Sequence, residues 1–464
     1  MFQTLALISA LIAPHSPAAK HNPPFSVATY TGTFADGATY LIQVPQPWNG
    51  GLVLYSHGYV LPGAANGADD ASDSLSGAYM LSQGYALGGS SYATTGWAIQ
   101  QALPDQIAVL STFATLTGHS PSRTIAWGDS MGGLITAALV QQYPGQFNAA
   151  MPMCGVVSGG VGFWNQFLDS GYAFNTLVAG NQLQVVDIGD ALTNYDNAMS
   201  DLGNAQAGVE GQARIALVAA LADEPGWYFT GYPPPAKTDY VDQEIYQYYW
   251  LANAEFLFEF FLRAELEGRA GGNPSWNEGI DYKAQLEASV DSKEVKQLYK
   301  RAGLDLDFDL SRLNSGATIS ANQGALDYLT QNIILDGQIS VPVLTLHTTG
   351  DGVVVNANEN AYAAGVAGAG NSASLQQAFV NRAGHCAFTS AEKIVAFEAL
   401  VDRLDTGSWS GLGASALNKA ANKLGSEYNQ LPPAYVAYKP AEYLRTYNGS
   451  PSWRRGQGRW ATGP

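Results

Sequence analysis

At 464 residues the chain is too long for one compact core of ordinary size, so a large domain with an insertion or a second domain is expected. Hydrophobic residues make up 46% and charged residues 13%, with 51 Gly and 25 Tyr, a balance that excludes a disordered chain and suits a secreted globular one. The formal net charge of −17 argues against nucleic acid and anionic membrane surfaces as partners.

The first residues, Met1 to Ala13, carry a short apolar core, followed by Pro17-Ala18-Ala19 and Lys20. This pattern predicts a signal peptide over residues 1–19 and a secreted protein, extracellular or periplasmic, although no positive charge precedes the apolar core. The run is too short to span a bilayer. The apolar stretch from Tyr246 to Leu262 carries Glu255 and Glu259 and reads as a buried helix of a soluble domain.

Val27 to Phe34 and Ala38 to Val44 read as two strands joined at Asp36-Gly37, a hairpin signal. Leu52-Val-Leu-Tyr-Ser is continuously apolar, as for a strand buried on both faces, and ends in His57-Gly58-Tyr59. A helix over Ser74 to Ser82, a strand from Tyr85 to Tyr92 and a helix from Pro104 to Thr117 follow. Thr124 to Trp127 is a strand that meets Gly128-Asp-Ser130-Met-Gly132 and then a helical apolar run, and Phe147 to Met153 is a further strand ending at Cys154. Alternation of strand and helix implies a mostly parallel sheet with helices on both faces and a site at the carboxyl ends of its strands, where His57, Tyr92, Ser130 and Cys154 fall.

The rhythm stops at Gly155. Residues 155–335 read as helices (Tyr195 to Ala207, Gly211 to Ala222, Asp239 to Leu266, Lys283 to Arg301), too long a stretch for a connection and therefore a domain of its own. Aromatic residues crowd Trp227-Tyr-Phe and Tyr246-Gln-Tyr-Tyr-Trp250; they read as core of the insert, with a substrate cleft as the alternative. The alternation returns with a strand at Val341 to His347, Gly350-Asp351-Gly352, a helix from Asn356 to Ala364, a strand from Leu375 to Val380, the loop Gly384-His385-Cys386 and a helix from Ser390 to Leu404. Residues 405–464 form a C-terminal extension in which the last fifteen or so look disordered and Asn448-Gly-Ser is a glycosylation sequon by pattern.

Gly-x-Ser-x-Gly between a strand and a helix marks Ser130 as a nucleophile on a tight turn, with glycines where a Cβ would clash. A serine hydroxyl needs a base. Of six histidines, His15 and His21 lie in the leader, His119 in a surface turn, His57 in a loop-shaping position and His347 at the end of a buried strand. His385, on a polar loop after the last core strand, is the expected base. Asp351 is the expected acceptor that orients it. Asp336 precedes its strand, at the wrong end of the sheet, and Glu359 reads as a solvated carboxylate inside a helix.

The order Ser130, Asp351, His385, the strand–Gly-x-Ser-x-Gly–helix unit and the His57-Gly58 strand end resemble the α/β-hydrolase superfamily. The likeness covers residues 25 to 155 and 336 to 404. It implies a hydrolase core over 20–154 and 336–404, a helical cap over 155–335, and an oxyanion hole from the Met131 and Tyr59 N–H groups, each worth about 3–4 kcal/mol to the tetrahedral oxyanion. Trypsin-like proteases also carry Gly-Asp-Ser, but their serine comes last and no helix follows it. Secreted feruloyl esterases and tannases have a cysteine directly after the catalytic histidine, as Cys386 is here; their partner cysteine precedes the serine, where this chain has Asp129. A Cys154–Cys386 disulfide would anchor the histidine loop to the sheet, with two buried free thiols as the alternative.

The expected activity is cofactor-free and metal-free hydrolysis of carboxylic esters through an acyl-enzyme, with a small ester or short peptide as the molecule bound. A peptidase or amidase of the same fold, a polyester depolymerase and a non-catalytic binding protein are the alternatives.

Overall fold

The structure is a computed structural model and describes residues 26–447. The signal-peptide segment and the Asn448 sequon lie outside the described residues. Nine strands form one sheet in the order β1-β2-β4-β3-β5-β6-β7-β8-β9. They are β1 Ser26–Thr33, β2 Thr39–Gln46, β3 Gly51–Ser56, β4 Ala86–Ser90, β5 Arg123–Asp129, β6 Ala149–Met153, β7 Val343–Gly350, β8 Leu375–Ala383 and β9 Tyr435–Val436. From β4 to β8 all pairings are parallel; β1, β2 and β9 pair antiparallel at the edges. Strands β3, β4 and β6 are buried at every residue, as their unbroken apolar runs require in a sheet covered on both sides.

Helices α1 Ser74–Ser82, α2 Ile99–Thr117, α3 Met131–Gln142, α13 Ala357–Gly368 and α14 Ser390–Thr406 belong to the alternating part. Helix α2 begins five residues before the expected start. Pro104 lies in its second turn, where the missing N–H removes one ladder bond without stopping the helix. One apolar cluster joins α2 and α3 to the insertion; another packs α1 and α14 on the opposite face of the sheet.

Between β6 and β7 the chain forms only helices: α4 Gly160–Leu177, α5 Ala191–Gln206, α6 Val209–Leu221, α7 Tyr240–Trp250, α8 Arg263–Ala270, α9 Tyr282–Ala288, α10 Ser292–Ala302, α11 Leu306–Gly316 and α12 Gln323–Asn332. Between α7 and α8 the helix runs through two π-helical segments, Leu251–Glu255 and Phe258–Leu262. Sequence patterning gives no sign of α4, whose 18 residues are all buried and so show no polar face. The single helix expected over Lys283 to Arg301 is two, because Ser289 turns extended and ends α9. The aromatic stretch divides: Trp227 and Trp250 are buried, while Phe229 and Tyr232 are exposed.

The described part of the C-terminal extension packs on the rest of the molecule; the last fifteen or so residues, expected to be disordered, lie outside the described residues. Helix α15 Ala414–Lys423 packs on α14, β9 completes the sheet, and Arg445 donates to Asp169 of α4 at 2.5 Å, with both side chains buried. No helix among the described residues is long and apolar enough to cross a membrane.

Candidate active site

Ser130 joins β5 to α3 with φ 60° and ψ −124°, a backbone state that L-residues rarely adopt and that active sites retain. The strain is enforced by close packing. A Cβ on Gly128 would stand 2.5 Å from the Gly132 and Ser56 carbonyl oxygens, and one on Gly132 would collide with the Ser56 carbonyl. The Ser130 N–H donates to the Met153 carbonyl of β6 at 2.9 Å, which fixes the turn to the neighbouring strand. The hydroxyl therefore stands at the carboxyl end of the sheet, at the first turn of α3.

His385 Nε2 lies 2.8 Å from Ser130 Oγ. Its Nδ1 lies 2.8 Å from Asp351 Oδ2 and 3.0 Å from Oδ1. Asp351 is fully buried, and its Oδ1 also accepts from the Val353 and Val354 N–H groups at 3.0 Å each. A buried carboxylate with these donors holds the ring with Nδ1 protonated and leaves Nε2 free to take the serine proton. The two loops are bonded to each other: Gly384 N–H donates to the Gly350 carbonyl at 2.9 Å, and Thr348 Oγ1 to the Gly384 carbonyl at 2.7 Å. The structure thus brings together all three residues expected from the sequence.

Cys154 and Cys386 form a disulfide with Cα atoms 5.3 Å apart, so the free-thiol alternative does not hold. The bond crosses from the end of β6 to the residue after His385, and Cys386 Sγ is 3.4 Å from His385 Nε2. It lies against the His385 ring and ties the His385 loop to the strand that also holds Ser130.

Met131 is the first residue of α3, so its N–H has no carbonyl one turn back to bond. The loop after β3 runs against the serine: a Cβ on Gly58 would be 3.4 Å from Ser130 Cβ. Tyr59 is next, buried, with its ring edge-on to Phe258 at 5.6 Å and its hydroxyl 3.4 Å from Glu265 Oε2 of α8. Glu265 also accepts from the Trp97 N–H at 3.1 Å and pairs with Arg269. A helix of the insertion therefore holds the loop that carries Tyr59, a link that only tertiary contact reveals. His57 does not touch the serine. It stacks on Tyr92 at 4.0 Å and its Nδ1 meets the Gly58 carbonyl at 2.8 Å, while burial pushes its pKa down.

Glu359 departs from expectation. It is fully buried, and Thr345 Oγ1, Gln377 Nε2 and His347 Nδ1 all lie within 3.0 Å of its carboxylate. Strand β7 and helix α13 bring these groups together, which the helical spacing around Glu359 could not disclose.

The model for the prolyl oligopeptidase family matches residues 67–184, a span that holds Ser130 and its turn. The o-phthalyl amidase of Xanthobacter agilis is 29% identical over 458 residues, covering 90% of this chain and 96% of that protein. The chain is a serine hydrolase with the α/β-hydrolase fold. Among solved structures, a rice cell wall degrading esterase, LipA, from Xanthomonas oryzae matches at 15% identity and a TM-score of 0.41, over 86% of this chain and 95% of that one. An esterase from Aspergillus oryzae matches at 14% identity and a TM-score of 0.43, over 82% and 80%.

Among the described residues the one cluster with metal-ligand spacing is Cys154, His385 and Cys386. With both sulfurs in a disulfide it offers no thiolate pair.

Proposed function

We propose that this serine hydrolase cleaves the acyl bond of carboxylic amides and esters through an acyl-enzyme on Ser130. The observation that carries the reading is the unbroken series Ser130–His385–Asp351, with 2.8 Å at both imidazole nitrogens. Ser130 Oγ attacks the acyl carbon as His385 Nε2 takes its proton. The Met131 and Tyr59 N–H groups receive the oxyanion. His385 then gives the proton to the departing nitrogen or oxygen, and a water activated by the same imidazole releases the acid. Residues 155–335 act as a cap on this site, and the core comprises 20–154 and 336–404.

The leaving group is where similarity adds most. The sequence pattern led to esters; the relative over nearly the whole chain is an o-phthalyl amidase, which favours an amide of an aromatic acid. Ester cleavage stays within the same mechanism, since an alkoxide leaves more readily than an amine. Matched anilide and p-nitrophenyl ester substrates, each with phthalyl and with plain benzoyl acyl groups, test this. A higher kcat/KM for the phthalyl anilide than for the benzoyl anilide supports the amide reading. Turnover of esters alone overturns it.

Secretion after removal of residues 1–19 is part of the proposal. A disulfide beside the base supports an oxidising compartment. Recovery of a mature chain beginning near Lys20 outside the cytoplasm is the expected result.

A further inference from the structure

Two imidazoles approach Asp351. His385 Nδ1 lies 2.8 Å from its Oδ2, and His347 Nε2 stands 3.6 Å from the same oxygen. His347 lies on β7, four residues before Asp351, and is fully buried. Its ring faces two acceptors. Nε2 is 2.8 Å from the Val354 carbonyl oxygen, and Nδ1 is 3.0 Å from Glu359 Oε1. A neutral imidazole carries one N–H and so satisfies one of these; only the imidazolium satisfies both. Glu359 is fitted to be the counter-charge. Its other oxygen accepts from Thr345 Oγ1 and Gln377 Nε2 at 2.6 Å each.

We propose that His347 is a positioning residue for the hydrolytic reaction: a buried imidazolium that braces Asp351 from behind and balances the charge against which His385 takes up its proton. The bracing is also mechanical. The Val354 peptide carbonyl accepts from His347, while the Val354 N–H donates to Asp351 Oδ1, so one short loop is held by both side chains. The inference rests on the assignment of Ser130, His385 and Asp351 made above.

The charges around the pair are few. Asp351 faces His385, His347, two backbone N–H groups and, across Gly352 from the insertion, Glu224. Glu224 is buried, beside Glu255, and burial first and then the neighbouring carboxyls push its pKa well up. His347 faces Glu359 and Asp351. Burial pushes its pKa down, but the Glu359 carboxylate and then Asp351 more than offset that. As an imidazolium, His347 supplies a cation 3.6 Å from Asp351 Oδ2. Replacing it by a neutral side chain leaves Glu359 and Asp351 uncompensated, and protonation of His385 becomes easier.

The test is His347→Gln, assayed as kcat/KM against pH with a p-nitrophenyl ester. The acid limb is expected to rise by about half to one unit, with roughly three- to tenfold lower kcat/KM below it and an unchanged KM. A folded variant with an unmoved limb overturns the proposal. Should the variant fail to fold, histidine-labelled wild-type protein decides by nitrogen NMR. Two N–H signals from His347 across pH 6–8 support the imidazolium; a neutral tautomer overturns it. Asp351→Asn separates the two levels. If that variant is inactive while the His347 results fail, only this inference falls; if it keeps full activity, the underlying assignment falls as well.

Discussion

Asp351 and Glu224 are both fully buried, close to either side of Gly352, and they do opposite things. Asp351, at the end of a strand, is met by two backbone N–H groups and an imidazole. Glu224, from the helical insertion, is met by another carboxyl, that of Glu255. The contrast extends to the regions. In the sheet half, three carboxylates have a basic partner, Glu392 with Arg382, Asp73 with Lys393 and Glu359 with His347, while burial raises Asp70 to about 7. In the insertion, Glu259 and Asp169 have arginine partners, Arg263 and Arg445, but other acids lie close together: burial pushes Glu255 up to about 8, Glu294 to about 9, and Glu244 and Asp291 to about 7. The two groups of acids differ in their neighbours: basic side chains face the first, and other carboxyls face several of the second. A buried charge persists only with a partner, and otherwise the group neutralises itself.

Breaking the sheet side has the largest effect. Ser130→Ala is expected to lower kcat by about 10⁵–10⁶, and Asp351→Asn by about 10⁴, because the amide stabilises the wrong imidazole tautomer. Steady-state turnover of an activated ester, with circular dichroism to confirm folding, checks both. A Cys154→Ser/Cys386→Ser double variant releases the His385 loop. It should lose roughly 2–4 kcal/mol of stability in denaturant titration, and kcat should fall by about 10–100-fold through misplacement of the base.

The insertion side is broken by pH. A carboxyl whose folded pKa is raised stabilises the fold below its unfolded value near 4.5, and this contribution is lost as pH rises through the folded value. For Glu244, Asp291, Glu255 and Glu294 that window runs from about 4.5 to about 9. Asp73 acts in the opposite sense. Burial raises its pKa, but Lys393 and the Ser76 amide pull it below the usual range, so its contribution is present above pH ~4 and lost on acidification. The melting temperature should therefore peak near pH 5 and drop by about 5–10 °C by pH 9. Glu224→Gln should flatten the alkaline fall, and a scan by differential calorimetry checks it. The smallest effect joins the two regions. Glu265→Gln loosens the hold of α8 on the Tyr59 loop and should lower kcat about three- to tenfold with little change in KM.

The same contrast explains what was legible in the sequence. The turn at Ser130 depends on local sterics, so Gly128 and Gly132 announce it. The sheet follows from alternating runs, and the order of Ser130, Asp351 and His385 follows from strand ends. The insertion gives no such signals. Helix α4 is buried all round and shows no periodicity, and Gly171 within it, read locally, says nothing of the Glu259 side chain packed against it. Glu359 looked like a surface carboxylate because helical position alone does not say that β7 brings His347 against it. The tail was readable only in part: Tyr443 and Arg445 are anchored through contacts with α4 and its loops, far away in the chain.

The central claim is that Ser130 is the nucleophile. Intact-mass analysis after a fluorophosphonate probe tests it most directly. One covalent adduct, mapped to the Ser130 peptide and absent from Ser130→Ala, is the result predicted. No adduct on the active protein, or full turnover by Ser130→Ala, would contradict it.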